Sequence, residues 1–74
     1  MSSHTLAMTI VNKKIGARLG KLRREAGMTQ EDLAYKAGLD YSFYNQLENG
    51  KRNVSVKTLA KLGRALHIKV KEMF

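Results

Sequence analysis

The sequence predicts an all-α domain, compact and built of five short helices, and three observations predict it. Apolar residues recur at helical spacing, with Val11, Ile15, Leu19, Leu22 and Ala26 following i, i+4, i+8, i+11, i+15. Residues that cap helix N-termini stand ahead of later apolar stretches at Thr29, Asp40 and Ser55. Glycines end the first three helical stretches at Gly27, Gly38 and Gly50, and no segment reads as a strand. At 74 residues the chain makes one domain with a thin core, of a size that buries only about 60% of its unfolded surface.

The elements follow in order. "MSSHTLAMTIV" lacks the basic start and long apolar centre of a signal peptide and reads as a flexible N-terminal arm, residues 1–11. The folded domain then spans residues 12–74. Its first helix covers about residues 12–26, with Lys13, Ala17, Lys21 and Arg24 turned away from the apolar stripe. Gly16 and Gly20 weaken this helix by up to ~1 kcal/mol each relative to alanine. Thr29 caps a second helix over residues 30–37, where Glu31 and Asp32 suit the positive helix end and Leu33, Ala34 and Ala37 face inward. Gly38 breaks it, Leu39 is a buried spacer, and Asp40 caps a third helix over residues 41–48. After the loop "KRNV", Ser55 caps a fourth helix over residues 56–66, with Leu59, Leu62 and Leu66 inward and Lys57, Lys61 and Arg64 opposite. A short turn over residues 70–74 ends the chain.

Charge and composition narrow the function. Fourteen Lys and Arg against six Asp and Glu leave a net charge of +8, which favours an anionic partner. The absence of Cys removes disulfides and thiolate sites and fits a reducing cytoplasm. His4 and His67 lie at opposite ends with no ligand cluster around them, so neither a metal nor any other cofactor is expected. No apolar run approaches the ~18 residues of a membrane-spanning helix, and no small-molecule ligand is expected. The chain shows no paired-carboxylate cleft, no nucleophile beside a base and no Gly-rich phosphate loop, so it does not read as an enzyme.

The third helix carries the functional signal. On a wheel at about 100° per residue, Phe43, Tyr44 and Leu47 share one side, and Tyr41, Ser42, Asn45 and Gln46 share the other. Exposed helix faces are usually filled with Glu and Lys, yet this one presents only hydroxyl and amide groups. An amide offers a donor and an acceptor together, which matches the adenine edge in the DNA major groove. Two helices of about eight residues joined by a glycine turn have the size of a helix-turn-helix, whose second helix enters that groove.

"MTQEDLAYKAGLDYSFYNQLENGKRNVSVKTLAKLGRAL" resembles the DNA-binding domain of the phage-repressor/Cro (XRE-like) helix-turn-helix family, with its lambda-repressor-like fold. The shared features are Thr-Gln opening the second helix, Leu-Ala within it, Ala-Gly in the turn, Leu-Glu-x-Gly ending the third and Thr-Leu-x-x-Leu in the fourth. Within that family it most resembles small stand-alone proteins, notably the controller proteins of restriction–modification systems. The resemblance implies a transcriptional regulator that binds double-stranded operator DNA as a homodimer on two half-sites. An antitoxin that binds both a toxin protein and its own operator is the alternative.

The resemblance also implies roles for single residues. Tyr41, Ser42 and Gln46 would read base edges, with Asn45 between them touching base or backbone. Gln30, Phe43, Asn49, Lys51, Arg52 and Asn53 would lie against phosphates. Phe43 stands where the family commonly has a tyrosine whose hydroxyl reaches a phosphate, and Tyr44 where it usually buries Ile or Val. Arg23 would pair with Glu48 and fix the angle between two helices. Val54, Val56, Ile68, Val70, Met73 and Phe74 would form the dimer interface.

Overall fold

In the computed structural model, which describes residues 2–74, four α-helices are followed by a single 3-10 turn and no strand occurs among the described residues. They are α1 (Ser3–Glu25), α2 (Gln30–Ala37), α3 (Tyr41–Glu48) and α4 (Val56–Leu66), with the turn at Val70–Met73. Each of α2, α3 and α4 starts where a side-chain oxygen satisfies a free backbone N–H. Thr29 and Asp32 form a reciprocal capping box, Asp40 accepts from the N–H of Phe43, and Ser55 accepts from that of Thr58.

The N-terminal segment differs from the sequence expectation. Residues 3–11 are helical and continue α1, where a flexible arm was expected; Met1 lies outside the described residues. Ser2 caps the helix by accepting from the N–H of Thr5 at 3.2 Å, and no glycine or proline interrupts the chain before Gly16. Extending an existing helix adds one hydrogen bond per residue without a new nucleation step, so this turn-by-turn growth needs no buried stripe. Leu6, Ile10 and Val11 accordingly remain exposed, and the apolar stripe contributes to the core only from Ile15 to Leu22.

The core is assembled from Ile15 and Leu19 of α1, Leu33, Ala34 and Ala37 of α2, Tyr44 and Leu47 of α3, Leu59, Leu62 and Leu66 of α4, and Met73. α3 packs against α1 and α2, α2 against α4, and the 3-10 turn closes against α4 and α1. Arg18 Nε fastens that turn to α1 by donating to the carbonyl of Glu72 at 2.9 Å. Met73, expected at a dimer interface, is instead completely buried within the chain: the turn carries its side chain inward to complete the core.

The helix-weakening glycines of α1 have a structural reason. A Cβ on Gly16 would stand 2.5 Å from the carbonyl oxygens of both Leu47 and Glu48, and one on Gly20 would stand 2.9 Å from Glu48 Oε1. These two positions let the end of α3 approach the α1 backbone directly. The loss of helix propensity in α1 is offset by that close contact.

Candidate nucleic-acid interface

The α2–turn–α3 unit is fixed from both ends. Gly38 takes the left-handed conformation (φ 69°), and the N–H of Leu39 donates back to the carbonyl of Ala34 at 2.8 Å. The chain therefore reverses in a tight turn while Leu39 packs on the core, and Asp40 restarts the helix. At the far end of α3, Arg23 Nε donates to Glu48 Oε2 at 3.0 Å and Nη2 to Oε1 at 2.8 Å. The remaining arm of the guanidinium, Nη1, donates to the carbonyl of Met28 at 2.7 Å. One arginine thus ties α1, the α1–α2 loop and the C-terminus of α3 together through a fork that matches a carboxylate.

Burial pushes the Glu48 carboxyl upward, but hydrogen bonding from Arg23, the neighbouring Tyr44 hydroxyl and Gln30 amide, and the Arg23 charge outweigh this and leave it below the usual carboxylate range. The Arg23 guanidinium is raised by its hydrogen bonds to Glu48, with burial opposing. Tyr44 lies beside the pair. Burial pushes its hydroxyl up, the Glu48 charge adds to this, and Arg23 opposes it. The hydroxyl is buried yet closes no hydrogen bond of sound geometry among the described residues. The Tyr44 ring fills the core, and its polar tip stands beside the Glu48–Arg23 pair without a closed hydrogen bond.

The outer face of α3 is organised differently. Tyr41 and Ser42 are exposed, while Asn45 and Gln46 are half-buried. Gln30, at the start of α2, accepts from Asn45 Nδ2 at 3.0 Å and from the Tyr41 hydroxyl at 3.4 Å. Asn49 donates to the carbonyl and to the side-chain oxygen of Asn45, at 2.9 and 3.2 Å. Arg52 Nε donates to Gln46 Oε1 at 2.6 Å, and its guanidinium carbon stands 5.8 Å from the centre of the Phe43 ring. Asn53 accepts from Asn12 Nδ2 at 2.7 Å, which holds the loop after α3 to α1. Lys51 is exposed on that loop.

Hydrogen bonds thus bring Gln30 together with Tyr41 and Asn45, and Arg52 together with Gln46, while Ser42 and Lys51 are exposed and Asn53 is tied to Asn12 of α1. Phe43 and Asn49 fit the expected phosphate contacts poorly. The Phe43 ring has no donor and its N–H is taken by Asp40, while the Asn49 amide is folded back on α3. Glu48 is the only acid in α3, and its carboxylate is turned inward onto Arg23, so the outward face keeps an undiluted positive flank at Lys51 and Arg52. Two partners escaped the sequence reading, Asn12 and the Arg52–Gln46 bond. Neither leaves a local signature, because both depend on where the loop returns.

A buried α3 core face, a tight glycine turn and an outward polar face define a helix-turn-helix DNA-binding unit. The Helix-turn-helix family model matches residues 19–73, and the chain belongs to that family of DNA-binding transcriptional regulators. It is 40% identical over 68 residues to the control protein C.MunI of Mycoplasma sp., covering 90% of this chain and 92% of that one. It is 38% identical over 58 residues to an HTH-type transcriptional regulator, y4dJ, of Sinorhizobium fredii, covering 78% of this chain and 75% of that one. Among solved structures it is similar to the restriction–modification controller protein C.AhdI from Aeromonas hydrophila. The TM-score is 0.85 at 43% identity, over 88% of this chain and 98% of that chain. No helix of the described residues is long and apolar enough to cross a membrane.

Proposed function

We propose that this chain is a controller-type transcription regulator that binds a double-stranded operator as a homodimer and governs the genes of a restriction–modification system. The observation that carries the DNA-binding part is the division of α3 into a face locked to α1 and α2 and a face of exposed hydroxyls and half-buried amides beside Lys51 and Arg52. In this reading α3 lies in the major groove. Tyr41, Ser42 and Gln46 meet base edges, Asn45 positions them through Gln30, and Lys51, Asn53 and Gln30 meet phosphates. The similarity to control proteins over most of both chains supports the regulatory assignment. No observation favours the antitoxin alternative.

One short helix covers only a few base pairs, and dimers of this kind span half-sites about 34 Å apart. Val56 and Phe74 are 73% and 72% exposed, and in this reading they meet a second copy together with Val54, Ile68 and Val70, which are half-buried against the core. Selection from a randomised duplex library, followed by binding across a salt series and sedimentation of the free protein, tests the reading. A twofold-symmetric motif, steep salt dependence and a dimer are expected. Equal affinity for selected and random duplexes would overturn it.

A further inference from the structure

We propose that Arg52 and Gln46 act as one unit that selects guanine at one position of each half-site. The proposal rests on α3 being the reading helix and identifies what part of its outer face reads. No Lys or Arg lies in α3 itself, so its own side chains provide no charged donor for a base edge. The loop supplies one. Arg52 is exposed, yet its guanidinium is held on two sides, by the 2.6 Å bond from Nε to Gln46 Oε1 and by the Phe43 ring at 5.8 Å. A residue that serves only to attract phosphate needs no such hold, since a charge on a loose stem does that work. A held guanidinium has a defined direction, and only its Nε is used, which leaves the Nη groups to donate.

The bond also changes what Gln46 presents. A free glutamine amide pairs an acceptor with a donor and suits adenine, which offers N7 and an amino group. Here the amide oxygen faces a positive charge, and the adenine amino group, itself a donor, would be brought against that charge. Guanine offers two acceptors, N7 and O6. Gln46 Nε2 and an Arg52 Nη group can donate to both at once. Adenine specificity through Gln46, the simple expectation from its side chain, therefore gives way to guanine. Phe43 also acquires a use that needs no hydroxyl, as the apolar wall behind Arg52.

The test is selection from a randomised duplex library by the parent, Arg52→Ala, Gln46→Ala and the double variant, with circular dichroism melts to verify folding. The parent should enrich a motif with guanine fixed at one position per half-site. Each single variant should lose about tenfold of its discrimination at that position and keep the rest of the motif. The double variant should lose no more than either single one, because the two residues act together. Two results would overturn the proposal while leaving the DNA-reading assignment intact. In one, Arg52→Ala keeps the whole motif, weakens all duplexes equally and lowers the salt slope by about 0.9, as for a phosphate contact. In the other, the parent fixes adenine where Gln46→Ala loses preference. If the parent enriches no motif at all, the reading of α3 and this proposal fall together.

Discussion

The two faces of α3 are built by opposite rules. The inner face is joined to α1 by direct backbone approach at Gly16 and by a charged fork between Arg23 and Glu48, with Tyr44 and Leu47 fully enclosed. The outer face is joined by amide and hydroxyl bonds among Gln30, Tyr41, Asn45 and Asn49 and by the charged bond from Arg52 to Gln46, nearly all open to water. Bonds of the first kind are expensive to break, because a buried group loses its partner with nothing to replace it. The amide and hydroxyl bonds of the second kind exchange readily for water or for a base edge, whereas the charged Arg52–Gln46 bond keeps its direction. A reading helix needs both: a fixed axis, and side chains free to change partners.

Substitutions on the inner face test the first rule. Glu48→Ala leaves the half-buried Arg23 without its carboxylate and is expected to reduce stability by about 2–3 kcal/mol in urea unfolding. The pH profile should show the same pair. Because the folded Glu48 carboxyl is held below its unfolded value, its contribution is complete above the ordinary carboxylate range and is lost as pH falls through the lowered folded value. Glu48→Gln should flatten that acid limb of the melting curve. Gly16→Ala forces a methyl against two carbonyls that cannot swing aside, and a loss of about 3 kcal/mol is expected, opposite to the gain that alanine brings to a free helix.

The remaining tests are smaller. Tyr44→Phe removes a buried hydroxyl that stands beside Glu48 without a closed hydrogen bond and should change the unfolding free energy by no more than about 1 kcal/mol. Lys51→Ala on the outer side should leave the unfolding free energy within about 0.5 kcal/mol of the parent. It should lower the slope of log affinity against log salt by about 0.9 for every duplex. A large stability loss on the outer side, or none on the inner side, would erase the distinction between the two faces.

The sequence revealed the elements whose signals are local. Thr29, Gly38, Asp40 and Ser55 set the bounds of α2, α3 and the start of α4 within a few residues of themselves, and the side of α3 that faces out follows from its wheel. Features that depend on distant contacts were not legible. Nothing near Gly16 and Gly20 says that the end of α3 will cross there, so they read only as weak helix formers. Residues 3–11 form helix by extension and lack the buried stripe by which helices are recognised. Met73 looked like part of an exposed apolar tail because only the 3-10 turn, folded against α4 and α1, carries it inward. In the candidate interface, the residue types on α3 were plain, but Arg52 looked like one more loop cation until the return of the loop placed it on Gln46.

The placement of α3 against DNA is tested most directly by mapping backbone amide chemical shifts in ¹⁵N-labelled protein as a selected duplex is added. The largest changes are expected at Gln30, at Tyr41 to Gln46 and at Lys51 to Asn53, with the outer surface of α4 unmoved apart from the apolar patch around Val56. Changes concentrated on Lys57, Lys61 and Arg64, with α3 undisturbed, would contradict it.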